Sequence, residues 1–375
     1  MYTLFYFYKD KESALIMYKK VVNLPNCELK IQSESNLDPV LGYGSRINNK
    51  RSFLFISKIL GKHIPVSPKK LNTTHSKLAK LINPEIKEDN VLLIGLAETA
   101  TGLGWGLFEQ IIPKSKIYIH TTRVMLEQKH LIDFEEEHSH ATEQYLYAPK
   151  SSKFNLNKIN HIVIVDDEIT TGNTIKNLIG QLNEVFNKPK ISVVTLLNWS
   201  NYKKNYKIHA LHQGAFSVKE KSSSTVENTL SNNADFKKPI LKKLSNGYGR
   251  VGSFSFPAIS QENIKLLKKF RDSKILLLGT GEFMFYAQVA SRYFHESNTL
   301  KIQSTTRSPV SIGGNIKSKI CFKDNYYPEI NNYLYNVIDK KYDVIIIFSE
   351  TKSNFDHLLH DQLKAKFNKI IPIYV

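Results

Sequence analysis

The residues with the clearest chemistry stand in His161-Ile162-Val163-Ile164-Val165-Asp166-Asp167-Glu168-Ile169-Thr170-Thr171-Gly172-Asn173-Thr174. An apolar run ends in adjacent carboxylates, and a Thr-Thr-Gly turn then opens a helix. In a parallel α/β sheet, groups at the carboxyl ends of strands are where ligands sit. A small-residue turn at a helix N-terminus offers backbone N–H groups and the positive dipole end to an anion. Threonine hydroxyls add donors for phosphate oxygens. Carboxylates disfavour phosphate, so Asp166 and Asp167 are expected to face a neutral, donor-rich part of the same ligand, such as a sugar diol. An anion cradle beside a diol acceptor describes a phosphorylated ribose.

Two further segments belong with it. Val91-Leu92-Leu93-Ile94-Gly95-Leu96-Ala97-Glu98-Thr99-Ala100-Thr101-Gly102 is another strand running into a small-residue turn, with Ala100 standing 66 residues before Asp166. Ile117–Thr122 ends at Arg123, and a polar segment follows that reaches Glu135-Glu136-Glu137-His138-Ser139-His140-Ala141-Thr142-Glu143. The alternating His138 and His140 suit proton transfer or phosphate binding, and equally suit a half-exposed strand without chemistry.

The motif from Ile162 to Thr174 resembles the phosphoribosyl pyrophosphate (PRPP) motif of type I phosphoribosyltransferases. Together with Gly95–Gly102 and His138–Glu143, it is similar to the family found with bacterial tellurium-resistance (Ter) stress-response systems. Members of that family continue into a domain named for a Thr-Arg-Ser-Pro signature (TRSP), which stands here as Thr306-Arg307-Ser308-Pro309. The resemblance implies that Asp166 and Asp167 hold the ribose and that Thr170, Thr171, Gly172, Asn173 and Thr174 hold the 5′-phosphate. It implies that Ala97, Glu98, Thr99, Ala100 and Thr101 line the pyrophosphate, aided by Arg123, and that the Glu135–Glu143 segment closes over the reacting centre. On this resemblance Asp166, Asp167, Arg123, His138 and His140 are the catalytic candidates. The implied reaction displaces pyrophosphate from PRPP with a nucleobase-like acceptor, or runs in reverse, with Mg²⁺ carried by the substrate's phosphates. The acceptor has no sequence rule in Met1–Gly44 or Thr195–Ser217.

Elements must place these groups. Short β-branched runs recur with helix-length gaps at Val91–Leu96, Ile117–Thr122, His161–Asp166 and Ser192–Asn198. They recur again at Ile275–Thr280, Lys301–Thr306, Val344–Ser349 and Ile370–Val375. Ile175, Leu178, Ile179, Leu182 and Phe186 lie at helical spacing between two of the strands. The expected fold is α/β: a type I phosphoribosyltransferase-like parallel sheet flanked by helices, plus a smaller α/β domain. The expected boundaries are 1–218 for the PRPP-binding domain, 219–256 for a basic linker and 257–375 for the TRSP-type domain.

The two halves share spacings. Gly95 to Arg123 and Gly279 to Arg307 are both 28 residues, with Glu98 and Glu282 three residues after each glycine and Thr-Thr-Arg at 121–123 and 305–307. The second domain therefore reads as a diverged copy of the first, or as an ordinary strand-helix repeat in which a few residues coincide. Setting Val165-Asp166-Asp167-Glu168 against Ile347-Phe348-Ser349-Glu350 removes the carboxylate pair from the copy. Glu282 and Arg307 are left as a candidate second-domain site for a phosphorylated or acidic group, or as a structural ion pair beside a turn.

The chain of 375 residues has a formal charge of +18. The windows Arg46–Lys80 and Asn201–Arg250 hold 16 of those charges, +9 and +7. Such patches suit a polyphosphate ligand, nucleic acid or plain solvation. No recognised nucleic-acid module stands out, so nucleic acid ranks second, as the partner of a non-enzymatic sensor. Lys62 and His63, in the first window, could face substrate phosphates. Hydrophobic content of 41% excludes wholesale disorder. No apolar run approaches the ~20 residues of a membrane helix. Cys27 and Cys321 are too few for a disulfide framework or a zinc site. A cytoplasmic protein without a membrane partner, with a homodimer possible, is the expectation.

Overall fold

The computed structural model describes residues 3–4, 18–46, 51–135, 143–149, 155–200, 206–221, 249–254, 258–327, 329–350 and 356–375. The first unit opens with β1 (Thr3–Leu4), the strands β2 (Tyr18–Asn23) and β3 (Cys27–Ser33), and a hairpin of β4 (Leu41–Ser45) and β5 (Phe53–Ser57). Next come α1 (Pro68–Ile86), β6 (Asn90–Gly95), α2 (Ala100–Gln110), β7 (Ser115–His120) and a hairpin of β8 (His130–Glu135) and β9 (Glu143–Tyr147). It ends with β10 (His161–Ile169), α3 (Asn173–Val185), β11 (Lys190–Asn198) and β12 (Lys207–Glu220).

Eight of these strands form one sheet, in the order β2-β3-β12-β11-β10-β6-β7 with β1 paired to β12, and the two hairpins stand apart from it. Neighbours from β12 to β7 are parallel, and β3 adds antiparallel to the far end of β12. Val91–Ile94 and Ile162–Val165 are fully buried because helices cover both faces. The strand order reverses between β6 and β10, so the crevice at their carboxyl ends is the ligand position of an open α/β sheet.

Helix α1 begins where Ser67 accepts the Lys70 amide and Pro68 fills the first turn. Helix α2 is buried on every side from Ala100 to Phe108, an unusual demand that its composition meets. A Cβ on Gly106 would lie 2.0 Å from the His75 ring of α1, so only glycine permits that crossing. The opposite side of α2 meets the second unit, where the Trp105 and Phe285 rings lie 4.9 Å apart with their planes tilted by 33°.

The second unit contains α4 (Gln261–Leu267), β13 (Lys274–Gly279), α5 (Met284–Ala290), β14 (Thr299–Ser304) and a hairpin of β15 (Lys319–Lys323) and β16 (Asn331–Tyr335). It closes with β17 (Val344–Ser349), α6 (Asp356–Lys364) and β18 (Ile370–Tyr374). Its parallel sheet runs β14-β13-β17-β18. That is the order of β7-β6-β10-β11, with a hairpin inserted at the same point of each unit. All eight buried runs expected from the sequence are strands, and the two units repeat one design.

The register corrects one detail. Gly95 pairs with Val165, and Gly279 pairs with Phe348. Asp166 therefore corresponds to Ser349 and Asp167 to Glu350, one residue away from the expected match. The second unit thus has a serine at the place of Asp166 and a carboxylate, Glu350, at the place of Asp167. No described helix is long and apolar enough to cross a membrane.

Candidate active site

Strand β10 carries Asp166, Asp167 and Glu168 past the end of β6, and the chain then turns through Thr170 and Thr171 into α3. Gly172, at φ 80°, sits in the left-handed region as the helix begins, which a side chain would resist. The Asp167 amide donates to Asp166 Oδ1 at 2.9 Å, and the Asn173 amide to Thr171 Oγ1 at 3.3 Å. Asp166, Asp167, Glu168, Thr170, Thr171, Gly172, Asn173 and Thr174 are all partly exposed, while the strand before them is buried. The expected diol and phosphate groups thus share one surface at the crevice.

The loop after β6 lies alongside, tied down by the Leu96 amide donating to the Val165 carbonyl at 2.9 Å. Its Ala97–Glu98 peptide is cis. The Ala97 amide donates to Thr121 Oγ1 at 2.8 Å, and its carbonyl accepts from Gln144 Nε2 at 2.8 Å. Ala97, Glu98, Ala100 and Thr101 are buried, and Thr99 is the residue of this turn that reaches solvent. Among the described residues, no hydrogen bond is made by the Glu98 or Thr99 amide, so these are the backbone donors left for an anion.

The side chain of Glu98 points away from that role. It pairs with Lys62 and lies 3.6 Å from Arg123. Burial would raise the Glu98 carboxyl, but Lys62, Arg123 and Arg307 outweigh it and hold it below the usual carboxylate range. Lys62 is itself buried, which lowers its ammonium, and it donates to the Gly281 carbonyl of the second unit. His63 is buried and stays neutral, with its pKa pushed down to about 3 by burial, beside the Tyr335 ring. Neither Lys62 nor His63 faces the crevice as the sequence suggested; both belong to the junction of the units. Arg123 stays partly exposed beside Glu98. His138 and His140 lie outside the described residues.

The candidate second-domain pair also belongs to the junction. Glu282 accepts from Thr122 Oγ1 at 2.6 Å and from the Arg123 amide at 2.8 Å. Arg307 makes a two-pronged pair with Asp324 at 2.9 and 3.0 Å, and its amide reaches Glu98 at 3.4 Å. Arg250, 1% exposed, bonds Glu282 at 2.9 Å, Thr122 Oγ1 at 3.0 Å and Glu350. Glu350, the surviving carboxylate of the copy, also accepts from Tyr326. Arg250 had read as part of a linker. The recurring signal was Gly61-Lys62 before the first repeat and Gly249-Arg250 before the second.

Burial would raise the Glu282 carboxyl, but Arg250, His120, the Arg123 amide and Thr122 hold it down at about 2. Its contribution to stability is complete above the ordinary value of 4.5 and is lost as pH falls through about 2. Acid titration of the melting temperature is therefore expected to be shallower for Glu282→Gln than for the parent between those values. Parallel curves would contradict this.

Beside the carboxylates a pocket opens between the β4–β5 hairpin and the sheet. It is lined by Leu41, Phe55, Ser57, Ile59, Leu197 and His212, with Asp167 and Glu168 at one side. Arg51 holds Glu168 at 2.9 Å and lies over the Phe53 ring at 4.4 Å. The sequence offered no sign of this pocket, because the hairpin wall and the sheet wall lie more than 100 residues apart in the chain.

A family model described as phosphoribosyl transferase matches residues 40–227, and one described as the TRSP domain C-terminal to it matches 255–366. The chain belongs to this phosphoribosyltransferase family. Among solved structures, hypoxanthine phosphoribosyltransferase from Staphylococcus aureus is 13% identical, over 40% of this chain and 77% of that one, at a TM-score of 0.27. Adenine phosphoribosyltransferase from Saccharomyces cerevisiae, complexed with an imino-altritol bisphosphate and adenine, is 15% identical over 47% and 96%, at 0.33. Orotate phosphoribosyltransferase from Mycobacterium tuberculosis H37Rv is 9% identical over 46% and 89%, at 0.29. No curated protein matches the sequence. This phosphoribosyltransferase thus carries its family's domain followed by a TRSP domain, and the junction between its units runs directly behind the crevice.

Proposed function

We propose that this phosphoribosyltransferase binds PRPP in the crevice between β6 and β10 and transfers its phosphoribosyl group to a base-like acceptor. What supports the reading is the meeting of two loops at one reversal of strand order: the carboxylate–threonine turn after β10 and the amide-bearing turn after β6. Asp166 and Asp167 accept from the ribose hydroxyls, and Thr170–Thr174 donate to the 5′-phosphate. The Glu98 and Thr99 amides and Arg123 face the pyrophosphate, whose departure they favour by stabilising the charge that develops on it. Positive charge building on the ribose is met by the nearby carboxylates, so positioning and electrostatics supply the rate without a covalent intermediate.

Magnesium fits this donor set as part of the substrate. Asp166 and Asp167 are hard oxygen ligands, but among the described residues no group of three or more His, Cys, Asp or Glu could hold a metal ion. The ion would be shared between these carboxylates and substrate oxygens, and it would neutralise pyrophosphate charge. The segment Glu135–Glu143, with His138 and His140, is assigned the role of closing over the site. The acceptor is assigned to the pocket under the β4–β5 hairpin, and a cytoplasmic stress-response setting follows from the Ter resemblance.

The test is pyrophosphate release from PRPP and Mg²⁺ with a panel of nucleobases, with the product identified by mass. Release with at least one base and a product of matching mass is the expected result. No PRPP binding by calorimetry and no release with any base would overturn the proposal.

A further inference from the structure

The two units are related by more than topology. Residues 95–123 map onto 279–307 with a constant offset of 184, and their internal bonds repeat. The Thr121 amide donates to Gly95 and the Thr305 amide to Gly279, at 3.0 and 3.1 Å. The Ala97 amide donates to Thr121 Oγ1 and the Gly281 amide to Thr305 Oγ1, both at 2.8 Å.

The bonds between the units are reciprocal. Glu282 accepts the Arg123 amide, and Glu98 accepts the Arg307 amide. The segment before each repeat pairs with the edge strand of the other. Val66 bridges Ile302 of β14, and Ser253 bridges Tyr118 of β7. The Ser304 amide donates to Gly61, and the His120 amide to Gly249. In each of these pairs residue i contacts j where the equivalent of j contacts the equivalent of i, which is the signature of a two-fold subunit interface. Here it lies within one chain.

We propose that the TRSP domain is a built-in second subunit that has given up ligand binding to brace the first, with Glu282 as its positioning residue. This rests on the PRPP assignment above. The path is short. Glu282 clamps Thr122 and the Arg123 amide, the adjoining Thr121 hydroxyl accepts from Ala97, and the next residues carry the Glu98 and Thr99 amides. The domain also grips the β4–β5 hairpin, where Ser311 donates to Ser45 at 2.9 Å and Arg46 bridges Val310. In the copy the equivalent carboxylate, Glu350, is committed to Arg250 and Tyr326.

Glu282 acts on the pyrophosphate side alone, so its loss should split two affinities that a general structural defect would move together. Titration calorimetry on the full chain compares inorganic pyrophosphate with ribose 5-phosphate, each with Mg²⁺. In Glu282→Gln, pyrophosphate binding is expected to weaken about 10-fold or more, with ribose 5-phosphate binding held within about 2-fold. Thr122→Val removes the hydroxyl donated to Glu282 at nearly constant shape, and carries the test if the glutamine variant does not fold. It should show the same split, smaller in size. The parent chain should bind one PRPP.

Equal affinities for both ligands in parent and variants, equal losses of both, or two PRPP per chain would each overturn the proposal. A parent chain that binds neither ligand would instead overturn the PRPP assignment.

Discussion

Asp166→Asn combined with Asp167→Asn is expected to abolish measurable PRPP binding while leaving the folded chain intact. Both side chains sit at a partly exposed strand end, outside the buried junction, and asparagine has nearly the same shape. The Asp166 oxygen that accepts the Asp167 amide survives as an amide oxygen. What disappears is two negative charges that the proposed reading sets against the ribose hydroxyls and the positive charge developing on the sugar. Hydrogen bonds to a charged group contribute roughly 1.5–3 kcal/mol each. Losing the charge on both therefore weakens binding by roughly 10²–10⁴-fold. Calorimetry with PRPP and Mg²⁺ reads this, and circular dichroism checks the fold. Unchanged affinity would remove the motif from the site and the PRPP assignment with it.

Arg250→Met is expected to cause the largest loss of stability. Arg250 is fully buried and answers two buried carboxylates, Glu282 and Glu350. Methionine fills much of the volume but leaves both acids facing a low-dielectric interior without their cation. Removing one partner of a buried ion pair costs about 3–5 kcal/mol, because the remaining charge keeps its desolvation penalty. For a chain of this size that corresponds to a fall in melting temperature of about 5 °C. Arg250→Lys retains the charge but cannot reach both carboxylates with a planar fork, so its loss should be smaller. A methionine variant that melts with the parent would show that the junction does not depend on this charge.

The basic windows acquire different meanings through these contacts. Part of the Arg46–Lys80 charge is internal: Lys62 answers Glu98, Arg51 answers Glu168, and Arg46 is buried. Arg250 closes the second window inside the junction. Charge that composition offers to a partner is here partly consumed by the fold.

Much of the first unit was legible in the sequence because its signals are local. A strand buried on both faces reads as a continuous apolar run, and a carboxylate pair followed by Thr-Thr-Gly at a helix start can be recognised wherever the strand lies. The repeated Gly-x-x-Glu and Thr-Thr-Arg spacings likewise exposed the duplicated design. Pairing partners are not local. Glu282 and Arg307 looked like a site of their own until the two-fold arrangement placed each against the opposite unit's turn. Lys62 and His63 read as candidates to face substrate phosphates until the second unit covered them. The copy's surviving carboxylate was misplaced by one residue, because only strand register fixes which side chain stands at a strand end. The sequence by itself determined eight of the strands and which residue types stand at the end of β10. Tertiary structure alone decided which charges neutralise one another and which segments wall the pocket under the β4–β5 hairpin. Coulomb pairing and shape depend on distance in space, and along this chain those partners stand as much as two hundred residues apart.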